Sequence, residues 1–199
     1  MQVVAFISKV LAISRIGMKY TKDDFARENY EELEKLSIET LREYTGKEVD
    51  HNIYVHDVYA TPNVSVRVLV INEEHKILMV REKQDGGWAV PGGWCDVYES
   101  SSENGVKEVK QEAGLDIKIE RLLGVFQRER YKDYPSVVSE YVHYYYGKVV
   151  GGELKHNHET TDIGYFDFDA LPPLSKKCTI MELSRAYEVY IKNTDVQFD

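Results

Sequence analysis

The chain is poor in cysteine: Cys95 and Cys178 are its only two, and their spacing suits neither a zinc site nor a redox pair. So few thiols in 199 residues exclude a disulfide-stapled scaffold and fit a reducing compartment. Clustered Lys and Arg are also missing. The net charge is −9 and the pI about 5.2. Binding a nucleic-acid polymer rests on basic blocks that release counterions, so that class of partner is excluded. No apolar run reaches the roughly 20 residues needed to cross a bilayer. The N-terminal MQVVAFISKVLAISRIG comes nearest, but no basic residue precedes its apolar part, and Lys9 and Arg15 interrupt it. It reads as an amphipathic element of a cytoplasmic protein with no membrane partner.

What is present is ordinary for a globular protein: 43% hydrophobic and 30% charged residues. The length allows one catalytic core and a modest extra element. Residues 1–45 read as a helical N-terminal extension, with Ala26, Tyr30, Leu33, Leu41 and Tyr44 at helical steps and Ser37 filling one gap. Thr21 and Asp24 are its expected N-terminal cap and Gly46 its stop. Such a unit buries little alone, so it is expected to pack on the main domain or on a second copy. Residues 46–63 read as a connector and 64–199 as the catalytic domain.

From Val64 the period changes to two. Val64, Val66, Val68 and Val70 alternate with Ser65, Arg67 and Leu69, and 76–82 follows as the expected hairpin partner. Residues 85–94, DGGWAVPGGW, read as loop. A helix is expected at about 101–113, strands at 116–127, 138–150 and 162–168, and a last helix near 179–193. Strands and helices mix without βαβ alternation, which points to an α+β sandwich rather than a doubly wound sheet.

The chemistry-bearing stretch is Gly93 to Leu115, GWCDVYESSSENGVKEVKQEAGL. Ser100 and Glu103 have capping-box spacing and Gly114 is a helix stop. On a helical wheel Val106, Val109 and Ala113 share one face, while Glu108, Gln111 and Glu112 cluster roughly opposite. Like charges at i,i+4 disfavour an isolated helix. A solvated face of an acidic protein is the bland account. A hard divalent cation is the functional one: magnesium takes oxygen ligands, keeps waters and bridges to substrate phosphates. On that face it would polarise phosphorus and lower the pKa of an attacking water.

The spacing resembles the Nudix box, in which Gly, five residues, Glu, seven residues, Arg-Glu, an apolar residue, any residue, Glu-Glu, any residue, Gly and an apolar residue follow in register. Gly93, Glu99, Glu108, Val109, Glu112, Gly114 and Leu115 match, and Trp88 and Pro91-Gly92-Gly93 precede the box as is usual for that family. Lys107 stands where Arg is usual and Gln111 where the first Glu of the pair is usual. The resemblance implies a Nudix-type α/β/α sandwich with a mixed sheet. It implies Glu108 and Glu112 as ligands of Mg2+ or Mn2+, with Glu108 also helping to activate water. The Gly93 carbonyl becomes a further metal contact, and Glu99 and Lys107 steady the platform by charge pairing. An amide at Gln111 ligates without charge, so another carboxylate is expected to assist, first Glu159 and then Glu140.

Segments beyond the box resemble a Nudix subgroup with a helical extension. That likeness implies a homodimer and a small nucleotide-derived substrate such as ADP-ribose or CDP-choline. A weak, nucleotide-sensing module and a nucleoside-triphosphate housecleaning enzyme are the alternative readings. Arg67 and Arg81 are candidate phosphate contacts, although strand arginines more often lie on a solvent face. The tyrosines of 131–146 could stack on a base but suit strand packing as well. His156 and His158 read as exposed loop residues, and nothing near Cys95 argues for a reactive thiol.

Overall fold

The computed structural model describes residues 3–49, 59–96 and 99–199, and the chain divides into two compact units. The first comprises residues 1–63 and 132–139, the second 64–131 and 140–199. The 50–58 part of the expected connector lies outside the described residues.

In the first unit, α1 (Val3–Tyr20) and α2 (Asp24–Thr45) pack together around Val4, Ile7, Leu11, Ile38 and Leu41. The N-cap of α2 is Asp23, whose carboxylate accepts from Ala26 N; the expected pair was Thr21 and Asp24. Gly46 stops the helix in the left-handed region at φ 64°, as its position predicts. The expected apolar stripe shifts. Ser37, Ile38 and Leu41 are buried, whereas Leu33 and Tyr44 are exposed along with Phe25 and Leu36. Inside the helix pair, Arg15 is fully buried and its Nε lies 2.7 Å from Glu34.

The second unit holds all of β1 (Asn63–Val70) but its first residue, β2 (Ile77–Glu82), β3 (Trp88–Ala89), α3 (Ser101–Ala113), β4 (Leu115–Gln127), β5 (Glu140–Gly152), β6 (Thr160–Phe166), α4 (Ile180–Lys192) and β7 (Gln197–Phe198). Its two sheets have the orders β1-β5-β4-β7 and β3-β2-β6. The first is mixed, because β7 runs parallel to β4. The expected β1–β2 hairpin does not form: only the isolated bridge Ile71–Ile77 joins them, and β2 pairs with β3 and β6 instead.

Burial explains the rearrangement. Val66, Val68, Val70, Leu78 and Val80 share one core with Val109 and Ala113 of α3. Leu69, Ile71, Ile77 and Met79 share another with Leu183, Ala186 and Val189 of α4. Alternate residues of β1 and β2 therefore face different helices, and both faces of these strands are dry except at Asn63, Val64 and Arg81. That is the α/β/α sandwich expected. Helix α3 begins on a reciprocal capping box between Ser100 and Glu103 and ends at Gly114 with φ 77°, so local rules alone set its bounds.

Candidate active site

Helix α3 leans on the sheet through Val109 and Ala113, and this rolls Glu108 and Glu112 toward the loop that precedes it. That face is not a solvated one. Glu112 is only 2% exposed, and its Oε2 accepts the backbone N–H of Gly92 at 2.9 Å. Glu108 is half-buried against Gly93, where a Cβ would stand 2.3 Å from Oε1. Gly92 is at φ 149°, and a Cβ there would meet Val66 O at 2.0 Å. The glycine pair thus lets backbone and acid side chains close on each other.

Together these residues wall a cavity of about 370 Å3, with Glu108, Glu112, Gly92 and Gly93 on the helix side. Arg67 of β1, Arg128, Glu140, Glu159 and Lys177 complete most of its wall. Burial pushes the Glu112 carboxyl up to about 7, against the pull of the Arg67 guanidinium and the Gly92 N–H. Burial raises Glu108 too, with Arg67 again opposing. Two acids this poorly hydrated on one wall call for positive charge.

The sequence-derived candidates separate clearly in space. Glu108, Glu112, Gly93, Glu159 and Arg67 come together on the cavity wall. Arg67 is 4% exposed and so not on a solvent face; its Nη1 donates to Gly92 O, and its Nε has no partner among the described residues. The Gly93 carbonyl accepts from Val66 N at 2.9 Å and keeps one lone pair. Lys107 Nζ lies 3.1 Å from Glu99 and 2.5 Å from Asp96, bracing the box loop at the surface. Gln111 is exposed and outside the cavity lining, and Arg81 is an exposed β2 residue whose Nε donates to Gly86 O at 3.0 Å.

Several cavity residues have no warning in the sequence. Arg128 lies between Glu140 at 3.1 Å and Glu182 at 3.2 Å, all three buried, and Ser65 Oγ donates to Glu140 at 2.6 Å. Glu140 is thereby engaged as the partner of an arginine. Lys177 reaches the wall from the loop before α4. Trp94, 54% exposed on the cavity rim, had one signal: it follows Gly93 in the box. Cys95 is pushed up to about 11 by burial and by the Glu108 and Asp96 charges, so it stays a thiol.

A sandwich with a carboxylate-bearing helix closed over a glycine loop defines a Nudix-type hydrolase, and the chain belongs to that family: residues 61–182 match the NUDIX domain. Residues 1–51 match a UDP-X-like, N-terminal oligomerisation domain. The chain is 35% identical over 94% of its length, and 91% of the relative's, to the Bacillus subtilis protein named "Putative ADP-ribose pyrophosphatase YjhB". A solved UDP-X diphosphatase is 32% identical with a TM-score of 0.66, covering 98% of this chain and 97% of that one. A Streptococcus suis ADP-ribose pyrophosphatase is 35% identical with a TM-score of 0.62 over 70% of this chain and all of its own.

Hydrolases of this family use divalent metal cations. The donors here fit such an ion on the chemistry of the set: hard oxygen atoms only, carried by the buried Glu112 and half-buried Glu108 carboxylates among others. Among the described residues no three acidic, His or Cys side chains converge into a ready-made chelate. A cation that takes one or two carboxylates and completes its shell with water and substrate oxygens suits that arrangement better than one needing a full protein cage. No helix among the described residues is long and apolar enough to cross a membrane.

Proposed function

We propose that this chain is a Mg2+- or Mn2+-dependent pyrophosphohydrolase that splits a nucleoside diphosphate joined to a second moiety into two monophosphates. ADP-ribose, CDP-choline and UDP-linked compounds are the candidate substrates. The observation that carries the reading is the pair Glu108 and Glu112, half-buried and buried on one cavity wall and both pushed toward neutrality by burial. The names borne by the B. subtilis and S. suis relatives and by the UDP-X diphosphatase support the substrate class.

In this reading Glu108 and Glu112 hold the cation, and the free lone pair of Gly93 O and the Glu159 carboxylate add oxygen donors. The bound cation would polarise the phosphoryl oxygens and offset charge on the leaving phosphate. Glu108 Oε orients the attacking water and takes its proton. Water then adds in line to one phosphorus, the bridging P–O bond breaks, and its electron pair leaves with the second phosphate. Arg67, buried beside both acids, hydrogen-bonds a phosphate oxygen. Glu99 and Lys107, with Asp96, keep the box loop in register. Gln111, exposed about one turn beyond Glu108, contributes a neutral oxygen by turning toward that face. Arg81 has no part.

The test is a product assay across ADP-ribose, CDP-choline, UDP-glucose, a dinucleoside polyphosphate and nucleoside triphosphates with Mg2+ or Mn2+, beside Glu112→Gln. Turnover of diphosphate-linked substrates that the variant lacks is expected. Preferred cleavage of triphosphates would instead support a housecleaning role. Gln111, which removes one charge from the box, gives a second reading its footing: inactivity across the panel with nucleotide binding retained would mark a sensor.

A further inference from the structure

Lys177 sits on a loop that is unusually well held. Trp88 N donates to Pro173 O at 2.9 Å, and Ser175 N to Trp88 O at 2.8 Å. Asp85 accepts from Ser175 Oγ at 2.9 Å and from Lys176 N at 3.0 Å. Lys177 N itself donates to Ser175 Oγ at 3.1 Å. The backbone that carries Lys177 is therefore fixed by hydrogen bonds to the β2–β3 turn, across about 90 residues of sequence.

Its side chain is fixed as well. Nζ lies 2.7 Å from Oε2 of Glu82, a carboxylate 2% exposed at the end of β2. The other oxygen of Glu82, Oε1, is buried with no hydrogen-bond partner among the described residues. Glu82 does not line the cavity, whereas Lys177 does, with its side chain 37% exposed. An ammonium has three N–H donors, and Glu82 takes one. The remaining two have no partner among the described residues, and Lys177 lines the cavity that holds Glu108 and Glu112. Arg128 differs: Glu140, Glu182 and the Lys176 carbonyl already occupy all three of its nitrogens.

We propose that Lys177, aimed by the buried Glu82, is a phosphate-binding residue of this cavity, and that Glu82 is its positioning residue. The inference rests on the hydrolase reading for its substrate class, a diphosphate ester. Such a group brings two or more negative charges to a wall that already bears Glu108, Glu112 and Glu159. A cation held with donors to spare is what lets the diphosphate approach a wall so rich in acids. A lysine serving only to neutralise Glu82 would have no reason to stand on the cavity wall.

The experiment measures binding of ADP with Mg2+ by calorimetry, and steady-state kinetics, for the full chain, Lys177→Met, Lys177→Arg, Glu82→Gln and the double variant. Lys177→Met is expected to weaken ADP by about tenfold or more and to raise KM with it. Lys177→Arg recovers most of the affinity. Glu82→Gln weakens ADP severalfold when Lys177 is present and has no further effect in the Met background. Unchanged ADP affinity in Lys177→Met, or additive effects in the double variant, overturns the proposal. If Lys177→Met does not fold, loss of affinity in a folded Glu82→Gln supports it and unchanged affinity overturns it. Failure of the hydrolase reading looks different: no substrate is turned over by the wild type, while the ADP titrations still report on Lys177.

Discussion

The backbone N–H of Gly92 donates to Oε2 of Glu112 at 2.9 Å, while the carbonyl of the same glycine accepts from Nη1 of Arg67. One glycine thus links strand β1 to the acid on α3. It holds Glu112 where water scarcely reaches, and the carboxyl rises to about 7 from its usual 4.5.

This sets a pH dependence for the metal-free chain. A carboxyl raised on folding stabilises the fold while protonated, fully below about pH 4.5, and that contribution is lost as pH rises through about 7. Glu108 is displaced the same way. Added Mn2+ should therefore raise Tm more at about pH 8 than at about pH 5.5. Glu112→Gln should raise the metal-free Tm at the higher pH. A Tm below wild type there would show that Glu112 is not the group responsible.

Gly93→Ala should separate activity from stability. The new Cβ meets Glu108 Oε1 at 2.3 Å, the far end of a flexible side chain, so the acid moves and the backbone does not. kcat should fall by about tenfold or more for a misplaced active-site group, with Tm within a few degrees of wild type. Full activity would mean that the contact does not position Glu108.

Arg128→Met leaves Glu140 and Glu182 buried without their shared cation. Breaking such a network costs about 3–5 kcal/mol, and denaturant unfolding should show it. Adding Glu182→Gln should recover part of the loss. If the single variant is as stable as wild type, the triad contributes no net stability.

Gln111 is exposed on α3, so an acid at that position is free to turn toward a cation held by Glu108. Gln111→Glu should tighten Mn2+ binding severalfold by titration calorimetry. Superimposable curves would remove residue 111 from the ligand set.

The first unit leaves Val3, Phe6 and Ile13 of α1 and Phe25, Leu33 and Leu36 of α2 exposed. That surface, on a segment matching an oligomerisation domain, is proposed to bury itself in a homodimer. Light scattering should give a dimer mass for the full chain, and Phe6→Glu with Leu36→Glu should give a monomer. A wild-type monomer at micromolar concentration would refute the assignment.

The sequence by itself determined the features whose causes lie within a few residues of each other. The α3 bounds follow from Ser100, Glu103 and Gly114, and the shared face of Glu108 and Glu112 follows from helical periodicity. The box spacing was equally readable, because loop and helix are contiguous. What β1 pairs with was not readable. Its alternation looks like a hairpin strand until both faces prove to be covered, by α3 on one side and α4 on the other. The tertiary structure alone decided that Arg67 is buried at the site and Arg81 is not, since the two are chemically equivalent along the chain. It also decided that Glu82 and Lys177, 95 residues apart, form a pair, and that Arg128 binds Glu182. Contacts of that separation leave no periodic trace, because they depend on how the sheets and helices stack.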